Sequence, residues 1–299
     1  SSITELDKAT DPSIFLNCKG TAYSLPREMV LRPFEMRTMQ AVAVATIKAG
    51  ALTCPSPMDG SILHCDGAII LTGITIAYRF YEPTLKQIFF LVASQPEVRF
   101  VALYFPVAGL CITPGPAATK FLEREQPGLP IEHSLIPTIV SYAGELLTYF
   151  NGEKKEIVLA YHHNHVGHHL WQELTGANAL VDQLSQADLP RLFVFETQKS
   201  EMYGKYEDIF PQFSGKVDRS CQGIAQFSGY AYRNHLCPII PTMSYVAASL
   251  RDRICSYVET SSMCAADHSL LSDIKARHDV ILLFGLRVEN RTLIDMEYF

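Results

Sequence analysis

Long apolar runs alternate along the chain with stretches in which apolar residues recur at helical spacing. The runs are rich in β-branched and aromatic residues, so they predict strands at residues 68–78, 98–104, 156–161, 192–196 and 280–286. The amphipathic stretches predict helices at residues 28–48, 136–150, 168–186 and 243–259, the last after a strand-like segment at 237–242. Apolar runs without polar alternation are typical of parallel strands covered on both faces by helices. The pattern therefore predicts an α/β fold with a Rossmann-like parallel sheet and flanking helices.

The same pattern suggests two domains. The polar segment 201–219 is interpreted as an excursion of loop and short helix, and the chain changes character at residues 265–278. We therefore predict a first domain over residues 1–265, followed by residues 266–299 as a linker and the first strand of a second domain. The chain begins without Met and ends soon after that strand. This favours a fragment with a truncated second domain.

Composition excludes several classes of protein. A chain of 299 residues with 48% hydrophobic residues can bury a core and is neither disordered nor of low complexity. Its net charge of −6 argues against a nucleic-acid partner bound through bulk phosphate attraction. The apolar runs are too short for a transmembrane span and no secretory signal is visible, which favours a cytoplasmic location. The 8 cysteines form no C-x-x-C pair and are expected to be free thiols.

The first candidate site is a cluster of histidines between a predicted strand and a predicted helix. Its members are His162, His163, His165, His168 and His169. Carboxyl ends of strands are where open α/β sheets bind ligands, and imidazole titrates near neutral pH. We therefore predict His165 and His168 as general base or hydrogen-bond donor, with Asn164 or Glu173 orienting an imidazole or binding a sugar hydroxyl. In the alternative, several histidines only cap the helix and Glu173 is a solvated carboxylate.

A metal centre is a second interpretation of the same histidines. His165 and His169 stand four residues apart, a spacing that can share a divalent ion on one helix face. The full alternative ligand set is His163, His165, His168 and His169. The glutamate of the H-E-x-x-H motif is absent, so the leading expectation is a site without metal or cofactor.

The second candidate site follows the last predicted strand, where the sequence continues LRVENRT. Arg287 and Arg291 would lie at the carboxyl end of that strand. A guanidinium matches phosphate oxygens with two parallel hydrogen bonds, so the pair suits a diphosphate. Alternatively, each arginine pairs with a neighbouring carboxylate on the surface.

Motifs of other nucleotide enzymes and hydrolases are absent from the sequence. It contains no G-x-S-x-G, no P-loop, no G-x-G-x-x-G and no D-x-D carboxylate pair. The order that remains is a strand, an N-H-x-G-H turn, a helix carrying LWQEL, and a later strand ending in LRVENRT. This order resembles glycosyltransferase-like proteins of GT-B architecture, and is distantly similar to the family of plant xylosyltransferases and extracellular O-linked N-acetylglucosamine transferase.

The resemblance implies a GT-B-like N-terminal domain that transfers a sugar, without bound metal, from a nucleotide-sugar co-substrate to a carbohydrate or protein acceptor. It would place His165 and His168 on the acceptor side of the cleft, and Arg287 and Arg291 on the donor diphosphate. The alternative function is a histidine-rich metal-binding protein or metal-dependent hydrolase. A third is a carbohydrate-binding or scaffolding domain without catalysis. The sequence does not specify the donor, the acceptor, the stereochemical outcome or the oligomeric state.

Overall fold

The computed structural model describes residues 2–8, 11–35, 38–71, 75–94, 99–125, 131–152, 154–161, 166–195, 201, 203–242 and 246–260. Residues 1–251 form one compact unit, and a second unit begins at Asp252. The predicted domain boundary, the predicted strand 280–286 and both candidate arginines lie outside the described residues. The first unit is a mixed α/β structure with two main sheets.

The first main sheet has six strands and is almost entirely antiparallel. Its order is β1-β10-β9-β8-β7-β6, and only the pair β1–β10 is parallel. The strands are β1 (Ser2–Glu5), β6 (Gly67–Ile70), β7 (Thr75–Glu82), β8 (Gln87–Ser94), β9 (Arg99–Phe105) and β10 (Leu110–Thr113). Two small hairpins add β2 (Ser13–Cys18) with β3 (Thr21–Pro26), and β4 (Thr53–Pro55) with β5 (Ile62–His64).

This sheet corrects the prediction of parallel strands in the first half of the chain. The predicted single strand 68–78 is two strands, β6 and β7, that pair antiparallel with Ile70 opposite Ile76. The strand β8 was not predicted at all. Most residues of these strands are buried, because both faces of the sheet are covered. An unbroken apolar run reports burial of both faces, and that condition does not require parallel neighbours.

The second main sheet has four strands, all parallel, as predicted. It contains β11 (Glu156–Tyr161), β12 (Arg191–Val194), β13 (Val217–Asp218) and β14 (Leu236–Ile239), in the order β13-β12-β11-β14. The chain therefore runs outward from β11 to β13 and then returns to the other side of β11. This 3-2-1-4 order is that of the first four strands of doubly wound nucleotide-binding sheets. The predicted parallel sheet with flanking helices is thus present in this part of the chain, and the described residues contain no second parallel sheet.

Helices cover these sheets, with more breaks than the sequence pattern suggests. The predicted helix 28–48 is α1 (Arg27–Glu35) and α2 (Met39–Ala49), because Thr38 caps α2 by accepting from the Ala41 amide. The predicted helix 136–150 is α4 (Glu132–Ser141) and α5 (Ala143–Asn151), which follow α3 (Pro116–Glu125). The break is at Tyr142, whose hydroxyl donates to the carbonyl of Ala225.

The remaining helices precede or follow strands of the parallel sheet along the chain, and the last of them extends into the second unit. After β11 come α6 (Val166–His168), a π-helical segment (His169–Leu174) and α7 (Thr175–Gln183), which together confirm the predicted helix 168–186. The excursion 201–219 contains the predicted short helix, α8 (Tyr206–Ile209), and also strand β13. Helix α9 (Ile224–Arg233) precedes β14, and α10 (Ala248–Thr260) accounts for most of the predicted helix 243–259.

Tyrosine hydroxyl groups connect the two main sheets at strands β6 and β14. The Tyr149 hydroxyl accepts from the amide of Ala68 at 3.0 Å and donates to the carbonyl of Leu236 at 3.0 Å. The Tyr232 hydroxyl accepts from the amide of Ile70 at 2.9 Å. These bonds satisfy backbone groups that no neighbouring strand satisfies. The parallel sheet is thereby held against the edge of the antiparallel sheet.

Candidate functional site

The candidate site lies at the carboxyl ends of β11 and β14. The chain leaves β11 on one side to form β12, and later returns on the other side as β14. Such a reversal leaves a crevice outside the carboxyl ends of the two central strands, where doubly wound proteins bind ligands. Strand β11 ends at Tyr161, four residues before His165, and Thr242 follows the end of β14. Of the five histidines in the cluster, His168 and His169 lie on the helical segments that follow β11, and the other three lie outside the described residues.

The two histidines of the cluster that the structure describes have different environments. His168 is exposed, whereas His169 and Glu173 have no exposed side-chain surface. The Nδ1 atom of His169 lies 2.9 Å from Oε2 of Glu173. Glu173 is therefore not the solvated carboxylate of the alternative interpretation. It holds an imidazole, and the imidazole that it holds in the described structure is that of His169.

The helix that carries this pair is locally wider than an α-helix. Residues His169–Leu174 form a π-helical segment, and the Thr175 hydroxyl donates to the carbonyl of Leu170 at 2.7 Å. A π segment inside an α-helix costs stability and recurs at functional sites. Here it begins at His169 and includes Glu173, so the irregular backbone coincides with the buried pair.

Two tyrosines enclose the pair. The hydroxyl of Tyr206 lies 3.5 Å from both His169 Nδ1 and Glu173 Oε2, and the ring of Tyr203 stacks on the imidazole at 6.0 Å between ring centres. Burial, followed by the nearby charge of Glu173, raises the pKa of Tyr206 well above its usual range. Tyr206 therefore stays protonated in this setting and can act as a hydrogen-bond donor.

Several buried polar atoms of this region have no hydrogen-bond partner among the described residues, and three of them matter for the site. They are Nε2 of His169, the hydroxyl of Tyr161 and Oγ1 of Thr242. Burial, followed by the charge of Glu173, also raises the pKa of Tyr161. Buried polar groups normally find partners, so unpaired ones at a ligand-binding edge indicate places where a ligand or water can bond.

The arrangement has a defined chemical capacity. When Glu173 is ionised, it accepts a hydrogen bond from Nδ1–H of His169, which leaves the lone pair on Nε2. A carboxylate that fixes the imidazole tautomer in this way prepares the ring to accept a proton or to bind a cation. The described structure thus contains an oriented imidazole one residue after the predicted His168.

The other predicted site residues are not brought together in the described structure. Asn164, His165 and His163 lie outside the described residues, as do Arg287 and Arg291. Of the alternative metal set, only His168 and His169 are described. In the described ranges no three His, Cys, Asp or Glu side chains come close enough together to hold a metal ion.

Sequence reasoning missed Tyr161, Thr242 and Tyr206. Tyr161 and Thr242 carry a usable signal, because each is a hydroxyl at or just after the carboxyl end of a predicted parallel strand. Tyr206 carries none, since it comes from the excursion 201–219 and reaches the pair only through tertiary packing.

Comparison with protein-family models, with curated proteins and with solved structures finds no match to this chain. The described helices include none that combines the length and the apolar character needed to traverse a bilayer. The fold and the site geometry therefore carry the functional argument.

Proposed function

We propose that this chain is a metal-independent glycosyltransferase, or the acceptor-side part of one, that uses a nucleotide sugar as donor. The observation that carries the proposal is the buried His169–Glu173 pair on the helix that follows β11, the strand whose carboxyl end borders the crevice beside β14. Sheets with this strand order bind nucleotides or their substrates at that crevice. A carbohydrate or protein hydroxyl would be the acceptor, and a cytoplasmic location belongs to the same proposal.

Each candidate residue would have a separate role in the transfer. His165 deprotonates or orients the acceptor hydroxyl, and His168 and Asn164 bind the acceptor. Glu173 acts as a positioning residue through His169. Arg287 and Arg291 bind the diphosphate and stabilise the negative charge that develops as the sugar leaves.

A nucleotide panel tests the donor side. Thermal unfolding is followed with nucleoside diphosphates and nucleotide sugars, with and without EDTA, on this chain and on the longest natural form. Stabilisation by one nucleotide, insensitive to EDTA and lost in Arg287→Ala, supports the proposal and identifies the donor base. Absence of any nucleotide response in either form contradicts it.

Release of nucleoside diphosphate from that nucleotide sugar tests the acceptor side. His165→Ala is expected to abolish transfer while leaving the thermal transition unchanged, and His168→Ala is expected to raise KM for the acceptor. The matched control is His133→Ala, an exposed histidine on α4, far from this sequence segment. Full transfer in His165→Ala would remove the base from the proposal. Acceptor binding without any transfer would indicate the carbohydrate-binding alternative.

One observation favours the second candidate function, a histidine metal site. A metal-binding imidazole commonly donates its other ring N–H to a carboxylate, as the His169–Glu173 pair is arranged to do. The partners would be the histidines of the alternative set. Elemental analysis decides between the functions: about one equivalent of zinc or iron, lost in His169→Ala, supports the metal site. Metal-free protein that transfers sugar contradicts it.

A further inference from the structure

A second cleft lies at the amino ends of the strands of the parallel sheet, whereas the candidate site lies at their carboxyl ends. Its volume is about 340 Å³, within the size range of small-molecule pockets. It is lined by Ile47, Gly50, Lys154, Lys155, Glu156, Ile157, Asp188, Leu189, Pro190, Arg191 and Lys216. Because it opens at the other ends of the strands, this cleft is separate from the candidate site at β11 and β14.

Cations stand at the start of three neighbouring strands. Lys155 immediately precedes β11, Arg191 begins β12, and Lys216 immediately precedes β13. Since these strands are neighbours in the sheet, the three side chains form a row along its amino edge. Lys154 adds a fourth cation to the cleft lining. The row is notable in a chain whose overall net charge is −6.

Both carboxylates of the cleft are already engaged. Glu156 receives two hydrogen bonds from Arg191, at 2.7 Å and 2.9 Å. Asp188 accepts from the Ser185 hydroxyl at 2.6 Å. The cleft therefore contains four cations against two carboxylates, and its ammonium groups have no carboxylate partner among the described residues. This excess of positive charge favours an anionic ligand.

Two of the three ammonium groups are held in place by backbone carbonyls and keep unused donors. Lys155 Nζ donates to the Gly152 carbonyl at 2.6 Å, and Lys216 Nζ donates to the carbonyls of Ala187 and Leu189. An ammonium has three N–H donors, so Lys155 retains two and Lys216 retains one. Lys154 is exposed and has no hydrogen bond within the described structure. Donors fixed in advance bind an oxyanion without paying for their own ordering.

The Lys155 ammonium is also poorly hydrated. The residue is 9% exposed, and its ammonium lies 4.9 Å from the centre of the Tyr149 ring. Burial is the main cause that lowers its pKa. A bound anion would compensate for the lost hydration of this charge.

The rest of the lining is apolar. Ile47, Ile157, Leu189 and Pro190 provide hydrocarbon surface beside the cations. A pocket lined by both cations and apolar side chains matches a ligand that has an anionic head and a carbon-rich body.

We propose that the cleft at the amino edge of the parallel sheet binds a small organic phosphate monoester, with its phosphate on Lys154, Lys155 and Lys216 and its organic part on the apolar wall. Phosphate suits this set because it has three oxygens that accept from several donors at once. The proposal does not depend on the glycosyltransferase assignment, since the two sites are at opposite ends of the same strands.

Calorimetric titration of the full chain tests the proposal. The probes are phenyl phosphate, inorganic phosphate and phenol, at constant ionic strength and without any nucleotide sugar. Phenyl phosphate is expected to bind more tightly than inorganic phosphate, and phenol is expected not to bind. Lys154→Glu is expected to weaken phenyl phosphate binding by about tenfold or more, because it replaces a positively charged hydrogen-bond donor by a carboxylate that repels the phosphate.

The matched control is Lys19→Glu, which makes the same charge change in the exposed turn between β2 and β3. It is expected to leave phenyl phosphate binding within about twofold. The proposal is overturned if neither phosphate compound binds, or if Lys154→Glu binds phenyl phosphate as the unaltered chain does. Equal affinity for phenyl phosphate and inorganic phosphate also overturns it, because the apolar wall would then contribute nothing.

Discussion

Glu173 holds the imidazole of His169 through a 2.9 Å contact that is closed to solvent on both sides. The two residues are four positions apart on the π-helical segment His169–Leu174. Removing one member of such a buried pair leaves the other polar group without compensation.

Glu173→Ala is therefore expected to lower the free energy of unfolding by about 3–5 kcal/mol, measured by urea denaturation. Glu173→Gln preserves a hydrogen-bond acceptor and should cost clearly less. The control is Glu145→Ala, which breaks a partly exposed pair with Arg233 and should cost at most about 1 kcal/mol. Equal losses of unfolding free energy in Glu173→Ala and Glu145→Ala would show that the buried pair stabilises the fold no more than the exposed pair does.

The Tyr149 hydroxyl is expected to contribute to stability through the junction of the sheets. Tyr149→Phe leaves the Ala68 amide and the Leu236 carbonyl without their partner, which should cost about 1–3 kcal/mol of unfolding free energy. Tyr81→Phe serves as the control, because that ring is half exposed and should change stability by less than about 0.5 kcal/mol. An unchanged urea midpoint in Tyr149→Phe would contradict the assignment.

Gly176 is expected to be irreplaceable, because the backbone of Pro241 approaches it closely. A methyl group at this position would overlap the Pro241 carbonyl oxygen and crowd the Tyr161 hydroxyl. Gly176→Ala should therefore lower the unfolding free energy by about 1–3 kcal/mol or more. Gly144→Ala in α5 is the opposite case, because a methyl group there would meet no atom within 4 Å beyond the backbone of its own helix. This variant should therefore raise the unfolding free energy by about 0.5–1 kcal/mol. Similar destabilisation in both variants would refute this steric argument.

Arg219 should stabilise the excursion 201–219 in a pH-dependent way. It donates to Glu201 and to Glu207. Burial is the largest single effect and opposes the charge of Glu207. The hydrogen bond from Arg219, a backbone hydrogen bond and the charges of Arg219 and Lys205 together outweigh it, so the Glu207 pKa lies below its ordinary 4.5. The stabilisation that ionised Glu207 provides is therefore complete above its ordinary pKa of 4.5. It is lost as the pH falls through the lower pKa of Glu207 in the folded protein.

Arg219→Met is expected to cost about 1.5–3 kcal/mol of unfolding free energy near neutral pH. The difference from the unaltered chain should shrink as the pH is lowered below 4.5. Arg233→Met, at a more exposed ion pair, provides the control and should differ little at either pH. A difference that stays constant with pH would contradict the role of the Glu207 charge.

The sequence predicted the parallel half of the fold well. The runs 156–161 and 192–196 are strands β11 and β12, and the helix between them follows from its own amphipathic pattern. It predicted the first half poorly, because buried antiparallel strands have the same unbroken apolar pattern as buried parallel ones. The break at Tyr142 was also invisible, since a contact with distant Ala225 supports it.

For the candidate site, the sequence predicted a helix soon after β11, and that helix is present. The position of His162, His163 and His165 at the carboxyl edge stays a prediction, because these residues lie outside the described ranges. His169 and Glu173 stand four residues apart, a spacing that puts two side chains on one helix face, so the sequence carried a signal for this pair that the prediction did not use. Tyr206 joins the site from 33 residues away through packing alone. Periodicity reports local structure, and that contact is not local.

The junction of the sheets also has a consequence for biosynthesis. The Ile70 amide is bonded by a hydroxyl that is 162 residues further along the chain. At a translation rate of about 5–20 residues per second, roughly 8–30 s pass between the synthesis of the two residues. During that interval β6 has no Tyr232 to bond. Contacts of such long sequence separation also slow refolding of a complete chain. The junction of the two sheets is therefore expected to be the last part of this protein to fold.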